Sequence, residues 1–483
     1  MSNVVHLHTK NNLLQLDATE IASAIKNGLI TSEEVTSTYI EHIKHVNPEL
    51  NAVVEERFDQ ALQEAKEMDQ QIHLASFTQQ PLYGVPISIK ESFNVTGMKT
   101  TGGIMHRKDI TMNKDADVVR RLKAAGAIVL CKTNTPSLCF YQETDNKLYG
   151  RTNNAWSKKH TAGGSSGGEG ALIGVGGSTV GMSSDIGGSI RFPSHFNGVV
   201  GFKPGKFQVS TSGHFPADNI PLKARMSSVG PMGKSVRDVQ LVYHIIQNET
   251  VRKGLYEKMQ VDLLPTDIHF PLGETTIQAL DKVYTFIQQD YTTSMTIPPF
   301  FNDSSEIWQE IMSVDGGKEI QSLAFNVDRV NITKEYMKSK FSRQTNHHPY
   351  LLWALFGANM FKPSKNRIKE IESFLEEGDN ILSSYLSNRL LVFPVYHHSA
   401  PKHGDLYKEI FSIKRTFLQY MPYIAYANVW GLPSLTMPIG EDLNGMPIGV
   451  QIMSTNGNEH AIFRLGKKLE KEFGGYKRST AYD

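Results

Sequence analysis

Cysteine is nearly absent. The two in 483 residues, Cys131 and Cys139, are too few for a disulfide framework and suit a reducing compartment. No apolar run approaches the roughly 18 consecutive residues that a membrane-spanning helix needs. The opening MSNVVHLHTKNNLLQL has neither the charged start nor the apolar centre of a secretory signal. The expected location is therefore the cytoplasm, in solution or peripherally on the inner membrane face. An excess of one charge sign is missing too: 50 basic and 49 acidic residues leave a net charge of +1. That balance gives no electrostatic footprint for nucleic acid, and no nucleic-acid partner is expected. The sequence has no internal repeat and no coiled-coil heptads. No Cys/His or carboxylate cluster at ligand spacing argues for a metal.

Glycine and serine, by contrast, are concentrated in one place. Residues 163–205, GGSSGGEGALIGVGGSTVGMSSDIGGSIRFPSHFNGVVGFKPG, hold 14 glycines and seven serines. Glycine at that density costs backbone entropy and is kept where main-chain amides must approach something closely. Serines set among free N–H donors match what an oxyanion needs. A flexible linker fits badly, because ALIGV, IRF and VVGF interleave apolar residues suited to strands and a core.

At 40% hydrophobic, the chain can bury a large core. Residues 1–75 read as an N-terminal helical segment packing on that core. Asp17-Ala-Thr-Glu20 and Thr31-Ser-Glu-Glu34 are capping boxes, and Val35, Tyr39, Ile43 and Val46 fall on one helical face. Pro48 is expected to separate this helix from a third, over about 51–71, with Val54, Phe58, Leu62 and Ala65 in register. From Leu82 the pattern alternates. A strand over 84–89 ends at Lys90, a helix over 116–125 closes at Gly126, and a second strand covers 127–131. Such alternation predicts an α/β fold layered on one sheet. Residues 251–389 read as a largely helical insertion or lid. Strands are expected again at 390–393, 435–439 and 448–452, the last two joined by an Asn444-Gly445 turn. One core over 76–483 carrying that insertion is the simplest organisation.

Gly163-Gly-Ser165-Ser-Gly167 formally matches a nucleophile elbow, but the polar, basic run before it is not the buried strand that an elbow requires. Asp185-Ile-Gly-Gly-Ser189-Ile-Arg191 is the better place for a nucleophile. The successive amides of Ile186, Gly187, Gly188 and Ser189 could there form a nest around an oxyanion. A serine also needs a base. His195, within FPSHF, reads as a packing or capping residue. Lys90 has two readings: a desolvated lysine with its pKa lowered toward that of a base, or a lysine at a solvated strand end.

Lys90 in PISIKESF, Ser165 in GGSSGG and Ser189 in DIGGSIR, together with GGEGALI and DIGGSIRFP, resemble the amidase signature family of serine hydrolases. The resemblance runs from about Leu16 to Gly475. It implies the amidase signature fold, a central mixed β-sheet covered by helices on both faces. It also implies a triad of Lys90 as base, Ser165 after a cis peptide bond as relay, and Ser189 as nucleophile, with no metal or organic cofactor. Within the family the likeness leans toward fatty-acid amide hydrolases of the second type. SVDGGKEIQS around Gly316, VFPVYHHSAPKHG around Pro394 and GLPSLTMPIG from Gly431 carry that leaning. The N-terminus departs from the pattern by lacking the membrane-spanning helix of the animal members.

The implied substrate is a small-molecule amide, with a long or hydrophobic acyl group expected. The alternatives are a glutaminase subunit of the glutamyl-tRNA amidotransferase type and a general short-chain amidase. A non-catalytic binder is disfavoured because all three triad positions are intact. Asp185 and Arg191 are expected to hold the nucleophile loop as a pair, and Ser166 to bond the glycine loop. Cys139 falls where relatives place a substrate-contacting residue, and it also fits an inert, buried thiol. The run from Tyr350 to Phe361, ending in Lys362-Pro-Ser-Lys365, fits either an interfacial helix making peripheral membrane contact or a buried lid helix. Self-association as a homodimer is the remaining partner expectation.

Overall fold

Strand-forming runs from both sides of the glycine-rich stretch meet in one sheet. The computed structural model describes residues 10–248, 259–268, 271–327, 330–341, 345–406, 408 and 421–483. The expectations for 1–9 and for parts of the 251–389 insertion lie outside them. The strands are β1 (Val53–Glu56), β2 (Val85–Lys90), β3 (Ala127–Thr133), β4 (Asp145–Asn146), β5 (Gly150–Arg151), β6 (Val180–Asp185) and β7 (Val200–Lys203). They continue with β8 (Ser228–Gly233), β9 (Gln260–Leu263), β10 (Thr293–Met295), β11 (Arg389–Pro394), β12 (Ser434–Glu441) and β13 (Pro447–Met453).

Eleven of them form a single sheet in the order β1-β3-β2-β6-β8-β7-β12-β13-β11-β9-β10, while β4 and β5 make a separate ribbon. The sheet is mixed. β3, β2 and β6 run parallel, β6 through β11 pair antiparallel, and β9 and β10 add parallel strands at the far edge. Every residue of β2, β3, β6, β7 and β8 is buried, so helices cover both faces there. This is the expected α/β layering.

The Asp17–Glu20 capping box forms in both directions, with Glu20 N donating to Asp17 at 2.9 Å and Asp17 N to Glu20 at 3.1 Å. Val35, Tyr39, Ile43 and Val46 are all buried. Three expectations need correction. Pro48 lies inside the helix Ser32–Leu50, close to its end, where the missing N–H removes a single ladder bond. The helix stops instead at Asn51, which is left-handed at φ 51°. Asn47 Oδ1 then accepts the amides of Ala52 and Val53 at 2.8 Å each, turning the chain into β1. Residues 53–56 are therefore strand rather than helix, paired antiparallel with β3, and the next helix begins at Phe58. β9 and β10 likewise stand where the sequence reads as largely helical.

β2 and β6 pair in parallel through Ser88–Gly181 and Ile89–Met182, which brings Lys90, at the C-terminal end of β2, level with Ser183 and one residue short of Ser184 near the end of β6. In open α/β sheets that edge is where ligands bind. Among the described residues, no helix is long and apolar enough to cross a membrane.

Candidate active site

Lys90 is fully buried, which rules out a solvated strand end. Its Nζ donates to Ser165 Oγ at 2.7 Å and to Ser184 Oγ at 3.0 Å. Burial lowers its pKa, against the opposing pull of Cys139, Asp185 and Glu169. Ser165 follows a cis peptide bond from Gly164 and opens the helix Gly167–Gly174 with Ser166. Its carbonyl accepts from Thr135 Oγ1 at 2.9 Å, and the Ser166 amide donates to the Ser189 carbonyl at 3.2 Å. One cleft is lined by Ser165, Ser184, Asp185, Ile186, Ser189 and Cys139. The three expected triad residues are thus brought together, and Cys139 borders the same space, 3.2 Å from Thr135 Oγ1.

The loop after β6 is held by a wholly buried ion pair. Asp185 accepts from Arg191 Nη2 at 2.9 Å and Nε at 3.0 Å, from Gly188 N at 2.9 Å, from Ile190 N at 3.1 Å and from Asn428 Nδ2 at 2.9 Å. Burial alone would raise the Asp185 carboxyl, but the Arg191 guanidinium and these donors hold it well below the usual carboxylate range. Arg191 also reaches Ile424 O at 2.8 Å and Asn428 Oδ1 at 2.5 Å. One expectation changes here. The Gly188 amide is committed to Asp185, so it is not a free oxyanion donor, and its glycine identity answers a φ of +94° instead. Gly187 is required by space, since a Cβ there would run into the Trp308 ring, whose Nε1 donates to Ile186 O at 2.7 Å.

His195 has the packing role its context suggests. Its Nδ1 accepts from Gly449 N at 2.8 Å and its Nε2 donates to His398 O at 3.0 Å, and burial lowers its pKa to about 4. Sequence reasoning passed over three neighbours. Ser184 bonds Lys90. His214 contacts Ser184 through Nε2 at 3.0 Å and Pro216 O through Nδ1 at 3.0 Å. Burial, then the charge of Lys90, lower the His214 pKa to about 4. Glu169, beneath the site, accepts from Ser88 at 2.5 Å and Thr133 at 2.9 Å, and burial raises its pKa to about 7. Ser184 lay in view, beside Asp185 in the SSDIGG run. Nothing in the sequence around His214 marks it.

A family profile described as Amidase matches residues 34–269 and 293–463. The chain is 32% identical over 491 residues to fatty-acid amide hydrolase 2-B of Danio rerio, spanning 96% of this chain and 91% of that protein. Its fold is similar to that of 6-aminohexanoate cyclic dimer hydrolase complexed with substrate, with a TM-score of 0.80 at 23% identity over 97% of this chain and 100% of the other. It is similar in the same degree to fatty acid amide hydrolase, with a TM-score of 0.80 at 20% identity over 96% and 86%. The profile match spans most of the chain and the relative aligns along nearly all of it, so the chain belongs to the amidase signature family and is an amide-hydrolysing enzyme.

Proposed function

We propose that the enzyme cleaves carboxylic amides bearing a long or hydrophobic acyl group, through an acyl-enzyme on Ser189. The observation carrying the acyl preference is an apolar cavity beside the cleft. Trp308, Trp353, Phe356, Met360 and Phe361 line it, and it shares Phe140 and Met312 with the lining of the serine cleft. An acyl chain attached at Ser189 would have apolar space to enter, where each buried methylene contributes about 0.8 kcal/mol.

In this reading neutral Lys90 takes the proton of Ser165, Ser165 takes that of Ser189, and Ser189 Oγ attacks the carbonyl carbon. Burial supports the neutral amine by disfavouring the charged form. The amides of Ile186, Gly187 and Ser189 receive the oxyanion, each such donor contributing about 3 kcal/mol to the transition state. The proton returns through Ser165 to the leaving nitrogen, which departs as the amine. Water then attacks the acyl-enzyme by the same relay and releases the carboxylate. Asp185 and Arg191 fix the loop, Ser166 ties the glycine helix to Ser189, and Cys139 touches the substrate.

Ser189→Ala is expected to abolish turnover and labelling by a fluorophosphonate probe. Labelling that persists would move the nucleophile, with Ser165 the first suspect. A panel of a long-chain acyl amide, a short aliphatic amide and glutamine tests the substrate half. The expected kcat/KM order is long over short, with glutamine untouched. Preference for glutamine would replace this reading with the glutaminase type, and preference for the short amide with a general amidase.

A further inference from the structure

Besides a hydrogen bond with the Cys139 thiol, Lys90 Nζ has two hydroxyl neighbours, Ser165 and Ser184, and the relay uses the first of them. The other, Ser184, leads by a further contact to His214, which lines the same cleft. We propose that His214 is a positioning residue for the base: through Ser184 it fixes the direction of the Lys90 hydrogens and keeps the lysine lone pair on Ser165. This inference rests on the relay described above.

The argument is one of hydrogen-bond polarity. The partner of His214 Nδ1 is the carbonyl of Pro216, which only accepts, so the ring hydrogen must be on Nδ1. In a neutral imidazole Nε2 is then bare and can only accept. Ser184 therefore spends its single hydrogen on His214, and its oxygen is left to accept from Lys90 at 3.0 Å. A neutral amine has two hydrogens and one lone pair. With one hydrogen held by Ser184, the neutral amine turns its lone pair to Ser165 across the same 2.7 Å, so the donation from the charged ammonium reverses and the Ser165 O–H donates to nitrogen. Reversing the imidazole end reverses the chain. A ring donating through Nε2 would turn the Ser184 hydrogen toward Lys90, where it competes with Ser165 for the lone pair.

Two further contacts hold the ring. Phe93, just past β2, packs its edge against the imidazole with centroids 4.8 Å apart, and its backbone forms an isolated antiparallel bridge with that of His214. The charged and titratable groups acting on the ring are Lys90 from β2 and Asp218 from its own loop. The chain Pro216 O, His214, Ser184, Lys90, Ser165 is therefore anchored at a main-chain carbonyl and ends at the relay serine.

The test uses the full chain and three variants: His214→Phe, which keeps a ring against Phe93 without an acceptor; His214→Gln, which restores an acceptor toward Ser184; and Ser184→Ala. His214→Phe should lower kcat by roughly ten- to a hundredfold, no more than the low end of the 10²–10⁴ span of general-base catalysis, with KM unchanged. His214→Gln should recover most of that loss. Combining His214→Phe with Ser184→Ala should cost no more than the worse single change, as for residues acting as a unit. Wild-type kcat in His214→Phe, or equal loss in the Phe and Gln variants, overturns the proposal. If the Phe variant does not fold, as judged by circular dichroism, the Gln variant against Ser184→Ala decides alone: near-wild-type kcat in the first with loss in the second supports it, and equal kcat overturns it. Lys90→Ala separates the two readings. Loss of turnover there with a silent His214 sinks only this inference, whereas retained turnover sinks the relay and this inference with it.

Discussion

At the scale of single residues, the Asp185–Arg191 pair places two buried charges next to Ser189, the proposed nucleophile, and commits them to holding its loop. Both side chains are completely buried, and the carboxylate is saturated by the guanidinium, two loop amides and Asn428. Removing one member leaves the other as an uncompensated buried charge, which typically costs about 3–5 kcal/mol. Arg191→Met should therefore lower unfolding stability by about that amount in urea titrations, and turnover should fall because the Ile186–Ser189 loop loses its anchor. A loss under about 1 kcal/mol, the range of an exposed pair, would show that the site is hydrated and the pairing incidental. The sequence made this pair legible, since both residues flank the DIGGSI run. It could not make His214 legible, because the contact to Ser184 depends on residues 213–216 folding back beside Phe93.

At the scale of elements, the helix Pro349–Met360 divides its residues between two environments. Leu351, Leu352 and Leu355 are buried away from the apolar cavity, while Trp353 and Phe356, stacked at 5.5 Å, line it together with Ala354 and Ala358. The sequence alone left this stretch between a membrane surface and a core helix, since it is apolar all round and shows no stripe. Nearby, Met337, Phe341 and Met360 are exposed. Replacing Trp353 and Phe356 with serine should raise KM for a long-chain amide by at least roughly tenfold, given about 1.5–3 kcal/mol for each fully buried large side chain. Turnover of a short amide should be spared, because the proposed triad is built on other elements. Equal damage to both substrates would make the helix simply core. Elsewhere, legibility followed element strength. The continuous apolar runs at β2, β3 and β13 are readable as strands, whereas Val53–Glu56 and Thr293–Met295 are too short to carry a pattern and exist because a neighbouring strand pairs with them.

At the scale of the whole molecule, the sheet gathers the site from distant parts of the chain, with Lys90 from β2, Ser165 before its helix, Ser189 after β6 and Asn428 from the helix Pro422–Val429. The alternation of strands and helices predicts this layering, but the order of the sheet depends on pairings that the sequence does not display. Global stability also carries a trace of that burial. His195 bridges the helix Arg191–Asn197 to β13 and to His398 as a neutral ring, with its pKa lowered to about 4. In the unfolded chain the ring titrates near about 6.5. Above that pH neither state is protonated and the group has no pH effect. As pH falls from about 6.5 toward 4, only the unfolded state gains the proton, so native stability drops, by roughly 2 kcal/mol at pH 5. Glu169 acts oppositely: raised to about 7, it stabilises the fold at low pH and loses that contribution as pH rises through 7. Comparing wild type with His195→Asn cancels Glu169, which both proteins share. The variant should be markedly less stable at pH 7, where Gly449 N or His398 O loses its partner, and the gap should narrow by roughly 2 kcal/mol at pH 5. A gap of equal size at both pH values in urea unfolding would mean that the His195 ring titrates normally and is not held neutral by the packing of β13 against the helix.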